Sequence, residues 1–199
     1  MRRMDIIRNV VVTASLWAAI GAAAEPAQKW DIDKDHTSIG FTVKHFFTPV
    51  AGTFNEVLGS FLFDPENLDG SAIDVRIPVA SIDTRNAKRD KHLQSEDFFD
   101  AKRWPDMHFV SERIEKSGEN RFTVFGKLTI RDVTEDVVLP FKLDIAPDPA
   151  DAGQVVARVT GGLTISRTKF GVGRDEWRDT KIVGDEVGLQ IDVLARRKK

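Results

Sequence analysis

The sequence predicts an all-β fold of about eight antiparallel strands, closed as a barrel or stacked as a sandwich, with a short helical insertion. Three observations predict it. From Trp30 onward, apolar residues recur at every second position, which is the period of a strand with one face buried. Polar turn segments separate these rows at short intervals, as antiparallel hairpins require. A single charged stretch, from Arg85 to Trp104, breaks the rhythm.

The first residues are read as an address and not as fold. Arg2, Arg3 and Arg8 flank an apolar run from Val10 to Ile20, followed by Gly21, Ala22, Ala23, Ala24 and Glu25. A basic start, a short apolar stretch and small residues before a polar one are the parts of a secretory signal. The apolar run is shorter than the roughly 20 residues a membrane span needs. The expectation is export through the Sec route, cleavage near Ala24, and one mature domain over residues 25–199 in the periplasm. Losing Arg2, Arg3, Arg8 and Asp5 leaves 26 basic against 30 acidic residues, a net charge of −4. That balance carries no electrostatic footprint for nucleic acid. The chain has no cysteine, so an exported fold would stand without disulfides.

The rows follow in order. Ile39, Phe41, Val43 and His45 share one face. Ile73, Val75, Ile77 and Val79 repeat the pattern, as do Phe122, Val124, Gly126, Leu128 and Ile130. Val137, Leu139, Phe141, Leu143 and Ile145 make another row, then Leu163 with Ile165, and Val187, Leu189, Ile191 and Val193. The segment Arg131 to Asp136 joins two rows as a tight hairpin. Between Arg85 and Trp104, one or two short helices are predicted, ending before Pro105, because the residue before proline disfavours helix.

The aromatic content is unusual: 13 Phe, 4 Trp and no Tyr. Buried Tyr and Trp need a partner for their polar atom, whereas Phe does not. Phe used almost alone can build a smooth apolar cavity wall, and the same rings can equally fill a core.

Four segments then carry a family resemblance. They are Trp30-Asp31-Ile32-Asp33 with His36 to His45; RDKHLQSEDFFDAKRWPDMHFVS from Arg89 to Ser111; GKLTIRDVTEDVVLPF from Gly126 to Phe141; and ISRTKFGVG from Ile165 to Gly173, with VGDEVGLQIDVLA near the end. In order and spacing they resemble the YceI-like family of exported bacterial proteins. The resemblance implies an approximately eight-stranded antiparallel lipocalin-like barrel, with the helical insertion near residues 85–104 and a deep apolar pocket. It further implies a bound long-chain isoprenoid lipid, such as a polyprenyl phosphate or isoprenoid quinone, or a similar amphiphile. Asp132 departs from the family's usual glycine and is expected to alter only its own turn.

Candidate ligand contacts follow from the rows and the insertion. Phe41 and Val43 share a face with His45, whose imidazole could bond a quinone carbonyl or phosphate oxygen, or simply the backbone. Phe46 and Phe47 precede Thr48-Pro49 and either line a pocket mouth or cap the core. Arg89 and His92 lie within one helical turn and are followed by Phe98 and Phe99. A helix over the barrel end would turn the rings inward and set the basic groups beside a polar head; alternatively the charges face water. Trp104, Phe109 and Phe170 read as core or wall, and Arg167 as paired with an internal carboxylate.

Catalysis finds little support. There is no cysteine nucleophile and no G-x-S-x-G elbow, and the four histidines lack H-x-H or H-E-x-x-H spacing. No catalytic cofactor and no metal site are expected. The resulting expectation is a non-enzymatic lipid carrier for transport, storage or stress protection, with transient membrane contact or homodimerisation through exposed aromatics compatible with it. Its rivals are a stress-related interaction module with a filled core and an enzyme acting on an isoprenoid lipid.

Overall fold

Each apolar row falls in a strand or, for Val79, just beyond one. The computed structural model describes residues 27–199; the expected export signal and its expected cleavage near Ala24 lie outside the described residues. The strands are β1 (Lys29–Ile32), β2 (Ser38–His45), β3 (Thr48–Phe54), β4 (Leu58–Leu62), β5 (Ala72–Pro78), β6 (Ile82–Asp83), β7 (Asp106–Gly118), β8 (Arg121–Ile130), β9 (Val133–Pro147), β10 (Gln154–Ser166) and β11 (Val183–Lys198). The helix α1 spans Ala87–Leu93.

All pairings are antiparallel, and eight strands close into a ring: β1, β4, β5, β7, β8, β9, β10 and β11. Closure runs through β1, which pairs with β4 on one side and with β11 on the other, at Asp31↔Arg196 and Ile32↔Ala195. The long β11 has two partners in succession, because β2 takes over its N-terminal half from Asp192 to Val183. Between β1 and β2 the chain kinks, and Thr37 covers the missing rung. Its hydroxyl donates to Leu194 O at 3.3 Å and accepts from Leu194 N at 3.1 Å. The fold is therefore a barrel and not a sandwich. Beyond the ring, β3 pairs with β2, and β6 with the last two residues of β3.

The insertion carries one short helix, as the sequence predicts. It is capped by Asn86, whose side chain accepts from Arg89 N at 3.1 Å. From Gln94 to Trp104 the chain instead turns repeatedly, with Asp100 in the left-handed region at φ 51°. At the β8–β9 hairpin, Ile130 pairs with Val133 across a two-residue turn. Its left-handed residue is Arg131, at φ 58°, and not Asp132. Aspartate is thus accommodated where the family usually has glycine.

The two barrel ends differ. At one end an aromatic plug fills the lumen: the Phe63 ring meets Phe122 at 5.1 Å and Phe141 at 5.9 Å between centroids, and Phe61 stacks on Phe63 at 5.8 Å. Trp30 joins the plug fully buried, its indole N–H donating to Phe63 O at 2.9 Å. Here phenylalanine does fill a core. Outside the plug, Arg196 bridges two carboxylates, donating to Asp33 and, through Nε at 2.8 Å, to Asp148. The far end, the roof, carries α1, the loop after it and the β10–β11 connection.

The bridge at the plug end makes folding sensitive to acid. The Arg196 hydrogen bond leads in holding the Asp33 carboxyl down from 3.8 to about 2, against the opposing effect of burial. A carboxyl depressed in the folded state stabilises the fold above its unfolded pKa and loses that contribution as pH falls through the folded one. Thermal melting should therefore fall in wild type between pH 3.8 and about 2, and Asp33→Asn should flatten that part of the profile. Equal pH slopes in the two proteins would refute the assignment.

Candidate functional site

Above the plug, the inward side chains do not meet, and the lumen holds two apolar chambers. The plug-side chamber, about 140 Å³, is walled by residues such as Ile32, Ile73, Val75, Phe109, Val159 and Val193. The roof-side chamber, about 120 Å³, is walled by Phe41, Val43, Phe54, Ile165 and Val187 and covered by Leu93, Phe98, Phe99 and Val172. Ile39, Ile77, Leu128 and Leu189 border both and form a waist between them. No polar atom presents surface to either chamber. Each is close in size to the roughly 150 Å³ at which a cavity lined by Leu, Ile and Phe stays dry.

This wall follows directly from strand chemistry. Closing the sheet pairs the backbone polar groups in ladders, and the period of two then sends only one row of each strand inward. Gly52 shows how closely the wall is fitted. A methyl added there would meet the Phe41 ring at 2.5 Å and Thr84 Cγ2 at 2.8 Å.

Polar groups hold the roof but point away from the lumen. Arg131 is buried beside the β8–β9 turn and donates through Nη1 to Phe98 O at 2.8 Å and to Gly171 O at 2.5 Å, with its guanidinium 4.8 Å from the Trp104 ring centre. One residue thus ties both roof loops to a barrel hairpin. Arg167 holds the β10–β11 connection, donating through Nε to Gly184 O, through Nη1 to Val172 O and through Nη2 to Val183 O, at 2.8, 2.8 and 2.5 Å. Burial works against both positive charges and lowers their pKa; for Arg131 the nearby Arg174 adds to this. Guanidinium groups stay charged regardless.

The structure sorts the residues singled out by the sequence. Phe41, Val43, Phe98, Phe99 and Phe109 line the chambers. Phe170 is buried but borders neither chamber, and Trp104 lies half-buried under the guanidiniums of Arg131 and Arg103. His45 continues the row of Phe41 and Val43, yet it is exposed beyond the roof-side chamber, its ring 4.8 Å from that of Phe46. Phe46 and Phe47 form the exposed tip between β2 and β3.

The insertion's two candidate basic residues, Arg89 and His92, are engaged within the protein. Arg89 donates to the Thr84 hydroxyl at 2.8 Å and the Thr84 carbonyl at 2.7 Å. His92 pairs with Asp97 at 2.8 Å and meets Phe98 and Trp177 edge-on, each at 5.1 Å. Arg167 contributes only its apolar stem to the chamber. Its guanidinium takes three backbone carbonyls where a carboxylate partner was expected, because the loop from Thr168 to Gly173 folds back over it; Asp185 instead accepts from Thr168 N and Oγ1 at 3.0 and 2.6 Å.

The waist residues were absent from the candidate ligand contacts, although Ile39, Ile77, Leu128 and Leu189 all sat in period-two rows. Closure turns such rows into a lumen wall, so every inward row residue was a candidate. Arg131 and Trp177 left no comparable signal, since nothing in their local pattern marks them as buried roof contacts.

The structure is thus a closed eight-stranded antiparallel barrel around an apolar lumen. The family model for the YceI-like domain matches residues 30–195, and the chain belongs to the YceI-like family. Among relatives, it is 40% identical over 116 residues to UPF0312 protein plu2095 of Photorhabdus laumondii, covering 58% of this chain and 60% of that protein. Among solved structures, BcnA of Burkholderia cenocepacia superposes with a TM-score of 0.73 at 32% identity, covering 82% of this chain and 99% of that one. A polyisoprenoid binding domain from Saccharophagus degradans superposes with a TM-score of 0.60 over 83% of this chain and 97% of that one; at 9% identity the likeness is one of fold.

The Arg167 fork is expected to be a main support of the roof. Arg167→Met leaves three carbonyls without their donor. Hydrogen bonds to charged groups contribute about 1.5–3 kcal/mol each and are not additive, so a loss of roughly 3 kcal/mol is expected in urea unfolding. Arg167→Lys should recover less than half of it, because an ammonium lacks the planar fork. Full rescue by lysine would refute the three-carbonyl fork as the source of that stability.

Proposed function

We propose that this protein is an exported, periplasmic carrier that encloses the chain of one isoprenoid lipid, such as a polyprenyl phosphate or isoprenoid quinone, for transport, storage or stress protection. The observation that carries the reading is the pair of chambers joined at a waist, with no polar atom facing either one. Burial releases about 0.8 kcal/mol for each methylene taken from water, so a long tail binds there with few polar contacts. A charged or carbonyl head group inside would lose its hydration without gaining a partner. The head therefore sits outside the chambers, and the chain supplies the affinity.

Two further observations support the class of ligand. The chain belongs to the YceI-like family, and the same fold occurs in the Saccharophagus domain described as polyisoprenoid-binding. A core filled by its own side chains accords with the aromatic plug but not with the open space above it. An enzyme reading lacks a general acid, base or nucleophile facing the chambers among the described residues.

Native mass spectrometry of the protein purified from its own cell envelope without detergent tests the reading. A single adduct with the mass of a polyprenyl or quinone species is expected. A clean unliganded mass, unchanged after incubation with such lipids, would refute the carrier function. The waist offers a sharper test. Leu128→Phe with Leu189→Phe should narrow the passage between the chambers, and displacing about two methylenes weakens binding about tenfold. Titration with polyprenols of graded length should show the loss confined to the longer chains. Equal weakening for all lengths would place the chain elsewhere.

A further inference from the structure

The tip between β2 and β3 exposes apolar surface that the fold does not use. Phe46 is 56% exposed and Phe47 fully exposed, and they are adjacent at the turn that joins His45 to Thr48. The tip is anchored from behind, because Phe46 N donates to Ile182 O at 2.7 Å. Phe46 adopts φ 52°, an uncommon conformation for a bulky residue. The rings are thus presented by a fixed support and not by a slack loop.

Three observations identify what such a tip fits. The first is area. A phenylalanine buries roughly 150–250 Å², so two fall well short of the roughly 800 Å² per partner of a stable protein interface. Aromatic side chains projecting from a convex tip suit the membrane interface, which needs no complementary pocket. The second is charge. Lys44 precedes the tip on β2, and Lys181 lies beside its anchor; both are exposed, and neither forms an ion pair among the described residues. Of the nearby carboxylates, Asp179 accepts from Lys181 N at 2.9 Å and Asp185 accepts from Thr168, while Glu186, in the β11 bulge opposite Lys44, is exposed. Cations beside an apolar insert match an anionic leaflet. The third is continuity. His45, the residue before the tip, pairs with Val183, a wall residue of the roof-side chamber, and Val43, one inward position further down β2, lines that chamber too.

We propose that Phe46 and Phe47 dock the barrel on an anionic phospholipid bilayer, with Lys44 and Lys181 at the lipid phosphates, and so hold the roof end against the membrane from which the lipid is taken. The last clause rests on the carrier reading; the docking itself does not.

The test uses protein expressed from the full-length sequence and vesicles of phosphatidylethanolamine with phosphatidylglycerol. Wild type is expected to float with the vesicles. Phe47→Ser should reduce the bound fraction at least fivefold, and Lys44→Glu with Lys181→Glu should reduce it on phosphatidylglycerol vesicles but little on neutral ones. Phe46→Asn with Phe47→Ser keeps a residue that tolerates the left-handed backbone, and an unchanged melting temperature certifies its fold. Transfer of a fluorescent polyprenol then separates the two ideas. Delivered from ethanol, the probe should bind this double variant as it binds wild type; delivered from vesicles, it should reach the variant at least fivefold more slowly. Flotation unaffected by the substitutions, or wild type failing to float, would overturn the docking while leaving the carrier intact. A wild-type dimer that the double variant loses in sedimentation, without vesicle binding, would assign the tip to a second copy and overturn it as well. No uptake by wild type from either source would sink the carrier reading, with flotation still deciding the docking.

Discussion

The chambers exist because the polar groups that close the barrel have partners outside the lumen. A wall without polar surface requires that backbone N–H and C=O groups be satisfied elsewhere, and the closed ring of eight strands does this along the barrel. At the roof the ladder runs out, and irregular loops bring carbonyls close to the cavity. Arg131 and Arg167 take up five interactions with those carbonyls from the far side. Without them, oxygens of Phe98, Gly171, Val172, Val183 and Gly184 would be left without these donors beside an apolar space. The two arginines carry a desolvation cost, visible in their lowered pKa, and the roof presents no polar surface to the chamber.

The same division explains the asymmetry of the ends. At the plug end the lumen is filled by packed rings, and β1 closes the ring onto β11 with the Asp33–Arg196–Asp148 bridge outside it. At the roof end, β3 has only a two-residue partner in β6, and the remaining wall is made by turns, such as the one where Asn55 N donates to Ser81 O at 3.1 Å. Opening the plug end would break ladder bonds and separate packed aromatics together. Opening the roof end would separate loops held by side chains. The easier passage to the chambers therefore lies at the roof, the end at which the β2–β3 tip stands.

Much of this was legible in the sequence, for a physical reason. Strand period is a local property, so the rows beginning at Ile39, Ile73, Phe122, Val137 and Val187 could be read directly, and closure then makes their apolar side a cavity wall. Phe98 and Phe99 do face the chamber, as expected of rings in a segment lying over a barrel end, although they follow the helix and are not part of it. What the sequence did not reveal are the partners of polar residues. Arg89, His92 and Arg167 were singled out for the chemistry of their side chains, but that chemistry does not say whether the partner is a ligand, Thr84, Asp97 or a carbonyl. His45 shared the inward row, yet its strand outruns the chamber, and period alone cannot tell where a lumen ends. Arg131 occupies an ordinary-looking turn, and its burial depends on two loops that arrive from residues 98 and 171.

An apolar cavity costs a folded protein the side-chain contacts that a packed core would make across the same space. This chain could have avoided it with means it already uses: the plug shows phenylalanines filling the same lumen a few rungs away. At the waist it has Ile39, Ile77, Leu128 and Leu189 instead, aliphatic side chains that border both chambers. An occupant bound only to the folded state would offset that cost by mass action. The waist also favours a thin, flexible chain over a broad rigid ring system, because one ligand reaches both chambers only by threading it. On the carrier proposal, selectivity resides in the shape and length of the apolar chain. An amphiphile's head, on the same proposal, has no partner inside and stays outside the chambers.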